Sequence, residues 1–122
     1  MNAKRASIPE ATETQILCAI LDYLAARRIL GFRMNTGQMV QERGGRKRVI
    51  KFGVIGMADV LAFPDARVLW IETKTRTGKQ SPFQRSFQAQ VERAGHRYIV
   101  ARSIEDVRDA LARKDGVNDE HV

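Results

Sequence analysis

The chain is poor in cysteine, in acidic residues and in long apolar runs, and each shortage removes a class of protein. Its single cysteine, Cys18, excludes an intrachain disulfide and a multi-cysteine zinc site and suits a reducing cytoplasm. No stretch approaches the roughly 18 consecutive apolar residues that a membrane helix needs. The opening residues, MNAKRASIPEATET, hold no apolar segment of the kind a secretory signal requires, so a cytoplasmic location is expected. No internal repeat or second domain is visible. A chain of 122 residues with 43% hydrophobic content is expected to form one globular domain around a modest core.

Acidic residues number 14 against 21 lysines and arginines, giving a net charge of +7. The excess is segregated. Between Arg27 and Lys51 stand eight basic residues and one acid, Glu42; between Lys74 and Arg97 stand six and one acid, Glu92. A basic face of this kind suits a polyanionic partner contacted through its phosphates, most simply nucleic acid. Arg43, Arg46, Lys47, Arg48, Lys51, Arg76 and Lys79 are the candidate DNA contacts.

Residues 1–8 read as a flexible terminus, 9–112 as the domain and 113–122 as a flexible tail. Ile16, Leu17, Ile20, Leu21 and Leu24 recur at helical spacing, predicting a helix from Pro9 to about Leu30 that Gly31 stops. A short strand is expected over 32–35. Residues 41–48, QERGGRKR, read as a basic loop or hairpin tip turning at Gly44-Gly45, with a weak strand over 49–52 behind it. Two strands, 58–63 and 68–74, flank the turn Pro64-Asp65-Ala66-Arg67. Ser81, Pro82 and Gln84 carry the signature of a helix start, with Ser as N-cap and Gln at the third position. That helix should end at Gly95, followed by a strand over 98–101 and a helix over 103–112. The order condenses to α-β-β-β-α-β-α, an α/β fold whose central mixed sheet is flanked by helices. Cys18 is expected to be at least half-buried, and Trp70 and Phe83 to pack in the core.

If Pro64 to Arg67 is a four-residue hairpin loop, Phe63 pairs with Val68 and Asp59 falls opposite Glu72. Lys74, two residues further, shares their face. Carboxylates placed opposite each other destabilise a hairpin. A divalent cation removes that objection, because paired carboxylates are hard oxygen ligands for Mg²⁺ or Mn²⁺. Lys74 is then placed to orient or deprotonate a water, which is the arrangement for metal-assisted phosphodiester hydrolysis. The plainer alternative is a surface ion pair between Glu72 and Lys74 on a solvent-facing sheet edge. Glu13, heading the stripe 13-17-20-24, is a candidate third acid; Glu10 on the same face is its rival. Ordinary helix N-terminal electrostatics accounts for either equally well.

Glu13, then Gly53-x-x-Gly56-x-x-Asp59, then Glu72-Thr73-Lys74, then Ser81-Pro82-x-Gln84 resemble the VRR-NUC domain, the virus-type replication-repair nuclease branch of the PD-(D/E)xK superfamily. The likeness runs from Glu13 to Leu111. It implies a restriction-endonuclease-like core in which Asp59, Glu72, Glu13 and the backbone carbonyl of Thr73 hold Mg²⁺ or Mn²⁺. It further implies that Lys74 assists the water and that Gln84 joins the catalytic set. The size resembles the stand-alone virus or phage type, implying a homodimeric nuclease of branched DNA, including four-way (Holliday) junctions, inside a bacterial host cell. Ala58 departs from the proline common before the aspartate, at a position that shapes a turn and does not touch the metal. A second function class is a nucleic-acid-binding module, or a catalytically silent subunit of a repair or replication complex. Opposed carboxylates favour the enzyme, since phosphate binding gains nothing from them.

Overall fold

The computed structural model describes residues 9–34, 37–52 and 55–113, with the backbone alone described over 37–41 and 49–52. The expected flexible ends, 1–8 and all but the first residue of 113–122, lie outside the described residues. In chain order the elements are α1 (Glu13–Ala26), β1 (Leu30–Arg33), β2 (Gly37–Arg43), β3 (Arg46–Phe52), β4 (Val60–Phe63), β5 (Leu69–Thr73), α2 (Pro82–Arg93), β6 (Arg97–Ala101) and α3 (Ile104–Ala112).

Strands β1, β4, β5 and β6, in that order, form a four-stranded sheet. β1 runs antiparallel to β4 and β4 to β5, while β5 and β6 are parallel, joined through α2 as a βαβ unit. The sheet is therefore mixed, as the sequence predicts, and helices cover both faces. On one face Ile16, Leu17, Ile20 and Leu24 of α1 and Val107 of α3 pack with Val60, Ala62, Leu69, Ile71 and Ala101. On the other, Val91 and Phe87 of α2 pack with Ala58, Tyr98, Trp70 and Val100. Each strand thus sends alternate residues to opposite layers.

The β4–β5 register is the predicted one. Val60 pairs with Ile71, Leu61 with Trp70 and Ala62 with Leu69, and one further step sets Asp59 against Glu72. Asp65 helps fix the turn, its Oδ1 accepting from the Arg67 amide at 2.9 Å. Ser81 also caps α2 as expected: its hydroxyl accepts from the Gln84 amide at 3.1 Å, and Gln84 Oε1 accepts from the Ser81 amide at 2.8 Å.

Other expectations need correction. The hairpin tip expected at QERGGRKR is present, but its strands are longer than expected, so five strands separate α1 from α2 where the condensed order has three. β2 and β3 pair from Gly37↔Phe52 to Arg43↔Arg46 around Gly44-Gly45, as a separate two-stranded sheet. α1 ends at Ala26, before the predicted stop at Gly31. Arg28 takes the left-handed position (φ 59°), and the amides of Arg28 and Ile29 bond back to Ala25 and Leu24. That is the Schellman arrangement usually closed by glycine. Gly31 serves close approach instead, since a Cβ there would lie 3.0 Å from Leu24 Cδ1. Cys18 is exposed on α1, and Phe83 is exposed at the start of α2.

Gly56 couples the loop before β4 to the start of α2. Its φ is +84°, and a Cβ would sit 2.4 Å from the Phe83 carbonyl carbon and oxygen. Gly95 has a similar φ of +88° with nothing within 4 Å of the equivalent point. Gly56→Ala is therefore expected to lose about 3 kcal/mol in urea unfolding, and Gly95→Ala about 1 kcal/mol. Equal losses would contradict the backbone contact.

Candidate active site at the end of the central strand

β5 is held on both sides, by β4 and by β6, so Glu72 near its end cannot lie on an exposed sheet edge. Glu72 is fully buried. The surface ion pair that the sequence allows for Glu72 and Lys74 is thereby excluded. Lys74 follows immediately: its amide continues the parallel ladder to the Ala101 carbonyl at 3.1 Å. Its Nζ lies 3.6 Å from Glu72 Oε2, an ion pair too long for a hydrogen bond.

The two oxygens of Glu72 are treated very differently. Oε1 accepts from the Tyr98 hydroxyl and, at 3.2 Å, from Gln80 Nε2. Gln80 Nε2 is shared with Gln88 Oε1 at 2.9 Å, and Gln88 Nε2 in turn reaches Glu92 Oε2 at 3.2 Å. Oε2 is buried and accepts no hydrogen bond. A buried carboxylate oxygen without a donor is unfavourable by roughly 1–3 kcal/mol or more, and a nearby ammonium offsets only part of that.

Asp59 stands just outside the β4 ladder, where its carbonyl accepts from the Met34 amide at 2.7 Å. Its Oδ2 accepts from the Thr73 amide at 2.7 Å and from the Thr73 hydroxyl at 2.8 Å. No donor among the described residues reaches Oδ1. Two charge-assisted bonds from one residue fix the Asp59 carboxylate to the end of β5. Thr73 is thus a side-chain partner of Asp59, a role that the sequence reading, which assigned it a carbonyl, does not contain.

The loop from Lys74 to α2 is anchored by Arg102, just after β6. Its Nη1 donates to the carbonyls of Thr75, Arg76 and Gly78, the last at 2.8 Å. This clamp fixes the chain between Lys74 and Gln80. Gln84, expected near the carboxylates, spends its amide oxygen on the α2 cap, and Gln80 occupies the place beside Glu72.

Glu13 is exposed in the first turn of α1 and joins no ion pair among the described residues. Among the described residues no group of three or more histidine, cysteine, aspartate or glutamate side chains could hold a metal, so the structure does not bring Glu13 to Asp59 and Glu72. Its rival Glu10 is engaged elsewhere, accepting from Arg76 Nε at 3.2 Å and Nη2 at 3.0 Å. That contact holds the Glu10 carboxyl below its ordinary range. Arg43, Arg46, Lys47 and Arg48 are exposed around the β2–β3 tip, and Lys79 is exposed beside the site. The side chain of Lys51 lies outside the described residues.

Tyr98 and Gln80 are the site residues that sequence reasoning missed. Tyr98 pairs with Trp70 across the parallel ladder, and its ring is flanked by Phe87 at 6.3 Å, which itself stacks edge-on against Trp70 at 5.0 Å. Parity along the strands was the available signal, since Tyr98 and Trp70 share the face of Glu72. Gln80 carries no periodic signal at all.

Comparison of the chain with known protein families, with curated proteins and with solved structures finds no match.

Burial, then the bond to Glu72 and the Glu72 charge, push the Tyr98 phenol well above its ordinary value of 10.0. The unfolded chain ionises this phenol near pH 10 while the folded chain keeps it protonated. The stabilisation is complete below that pH and is lost as pH rises above it. In metal-free Tyr23→Phe protein, whose one tyrosine is Tyr98, tyrosinate absorbance should appear only together with unfolding. Ionisation near pH 10 in the folded state would contradict the buried bond.

Proposed function

We propose that the protein is a divalent-metal-dependent DNA endonuclease of the VRR-NUC type, with a restriction-endonuclease-like core. The observation that carries this reading is Glu72 Oε2, buried, without a hydrogen bond and 3.6 Å from Lys74 Nζ. Asp59, set against Glu72 by the β4–β5 register and fixed by Thr73, supplies a second carboxylate with one oxygen unengaged.

These groups fit Mg²⁺ or Mn²⁺. Both ions take hard oxygen ligands, and Mg²⁺ is ordinarily held by one or two carboxylates with waters and substrate phosphate completing the shell. Two acids therefore suffice, and the distance of Glu13 from the pair is no obstacle. When bound, the ion lowers the pKa of a water and offsets charge on the phosphate. Lys74 orients that water and donates to the oxyanion that develops at phosphorus. The water oxygen bonds to phosphorus, a P–O bond to a sugar oxygen breaks, and the water's proton ends on the departing oxygen.

Exposed Arg43 and Arg46 are direct cross-strand partners at the β2–β3 tip. Like charges so placed repel, and a nucleic-acid phosphate would relieve that repulsion. Branched DNA, four-way junctions above all, is the proposed substrate, cut by a homodimer because one site severs one strand. The setting is the cytoplasm of a bacterial host for a phage-encoded enzyme. Among the described residues no helix is long and apolar enough to cross a membrane. The second reading, a silent nucleic-acid-binding module, is favoured by the lack of a third acid at the pair among the described residues.

Purified protein should cut plasmid and four-way-junction DNA with Mg²⁺ or Mn²⁺ and not with EDTA. Lys74→Ala should cut at least about 10²-fold more slowly while binding the junction as tightly as wild type. Junction binding without metal-dependent cutting would favour the silent module, and full activity in Lys74→Ala would remove that residue's role.

A further inference from the structure

We propose that Tyr98 and Gln80 are positioning residues that hold Glu72 by Oε1, so that Oε2 alone is presented to the metal ion. The inference rests on the nuclease reading and assigns a task to residues outside its catalytic set. Its basis is the asymmetry of the bonds. Tyr98 and Gln80 reach Glu72 from different elements, the strand β6 and the loop before α2, yet both donate to the same oxygen. A network serving only to make carboxylate burial tolerable would spread its donors over both oxygens. Here one oxygen has two donors and the other has none, although both are buried.

Both donors are themselves held. Gln80 Nε2 is anchored on Gln88 Oε1, its backbone carbonyl accepts from Arg85 Nη1 at 3.0 Å, and the loop leading to it is clamped by Arg102. The Tyr98 ring is flanked by Phe87, with ring centroids 6.3 Å apart. With Oε1 fixed, rotation of the carboxylate is blocked and Oε2 stays on the side of Lys74. A metal ligand oriented in this way binds more tightly, and loss of such an outer partner ordinarily weakens metal affinity by about 10–100-fold.

The test is the Mn²⁺ affinity of the full-length protein, read from the electron paramagnetic resonance of free Mn²⁺. Wild type, Tyr98→Phe and Gln80→Leu are compared, with Asp59→Asn as the variant lacking a ligand. Tyr98→Phe should bind about 10-fold more weakly and Gln80→Leu several-fold more weakly, and their slowed DNA cleavage should recover at saturating Mn²⁺. A folding defect would not recover in that way. Affinities within twofold of wild type in both variants would overturn the positioning role. If Tyr98→Phe fails to fold by circular dichroism, the Gln80→Leu result decides alone. If wild type binds Mn²⁺ no better than Asp59→Asn, the nuclease reading itself falls and this inference falls with it.

Discussion

The fully buried carboxylate of Glu72 constrains everything around it. A charge at this depth is tolerated only where neighbours satisfy it. β5 must therefore be a central strand with partners on both sides, and the layer above it must bring polar groups inward. The parallel pairing with β6 carries Tyr98 to one oxygen, and the loop before α2 carries Gln80 to the same one. Lys74 is left facing the other oxygen. The fold and the candidate site are consequences of one requirement, that an acid be buried yet half unsatisfied.

The supports lie at some distance from the acid. Gly56 lets the loop before Asp59 touch the backbone at the start of α2, which ties the approach to β4 to the helix behind Gln80. Arg102 binds three carbonyls of the loop after Lys74, so the end of β6 governs the course of the chain out of β5. The core under α1 and α3, with Ile20, Leu69, Ile71 and Val107 all solvent-free, keeps the opposite face of the strand rigid. Carboxylates set on such strands move little, which preorganised metal binding requires.

Much of this was legible in the sequence, for local reasons. The four-residue turn around Pro64-Asp65 dictates a register, and that register sets Asp59 against Glu72 without any knowledge of the tertiary fold. Ser81, Pro82 and Gln84 specify a helix start by hydrogen bonds confined to one turn. What failed depended on long-range contacts. Tyr98 reads as one more apolar strand residue until β6 is laid parallel to β5. Gln80 reads as a loop residue until the loop is folded back over Glu72. The turn at Gly44-Gly45 was legible, but the full length of the strands around QERGGRKR was not, because its arginines and glycines suppress the alternation that marks a strand; and α1, ending at Ala26, is closed by Arg28 in a conformation that sequence reserves for glycine. The amide oxygen of Gln84 serves the local cap that the sequence announces, while Gln80, four residues earlier, bonds Glu72.

The β2–β3 hairpin forms its own two-stranded sheet and carries the densest positive charge of the chain, which suits a polymeric anion. A crystal soaked in Mn²⁺ tests the role of Glu72 through the metal's anomalous scattering. A peak is expected between Asp59 and Glu72, about 2.1–2.3 Å from Glu72 Oε2, with Oε1 still held by Tyr98 and Gln80. A Mn²⁺ peak elsewhere only, or none with the crystal intact and the ion at millimolar concentration, would contradict it.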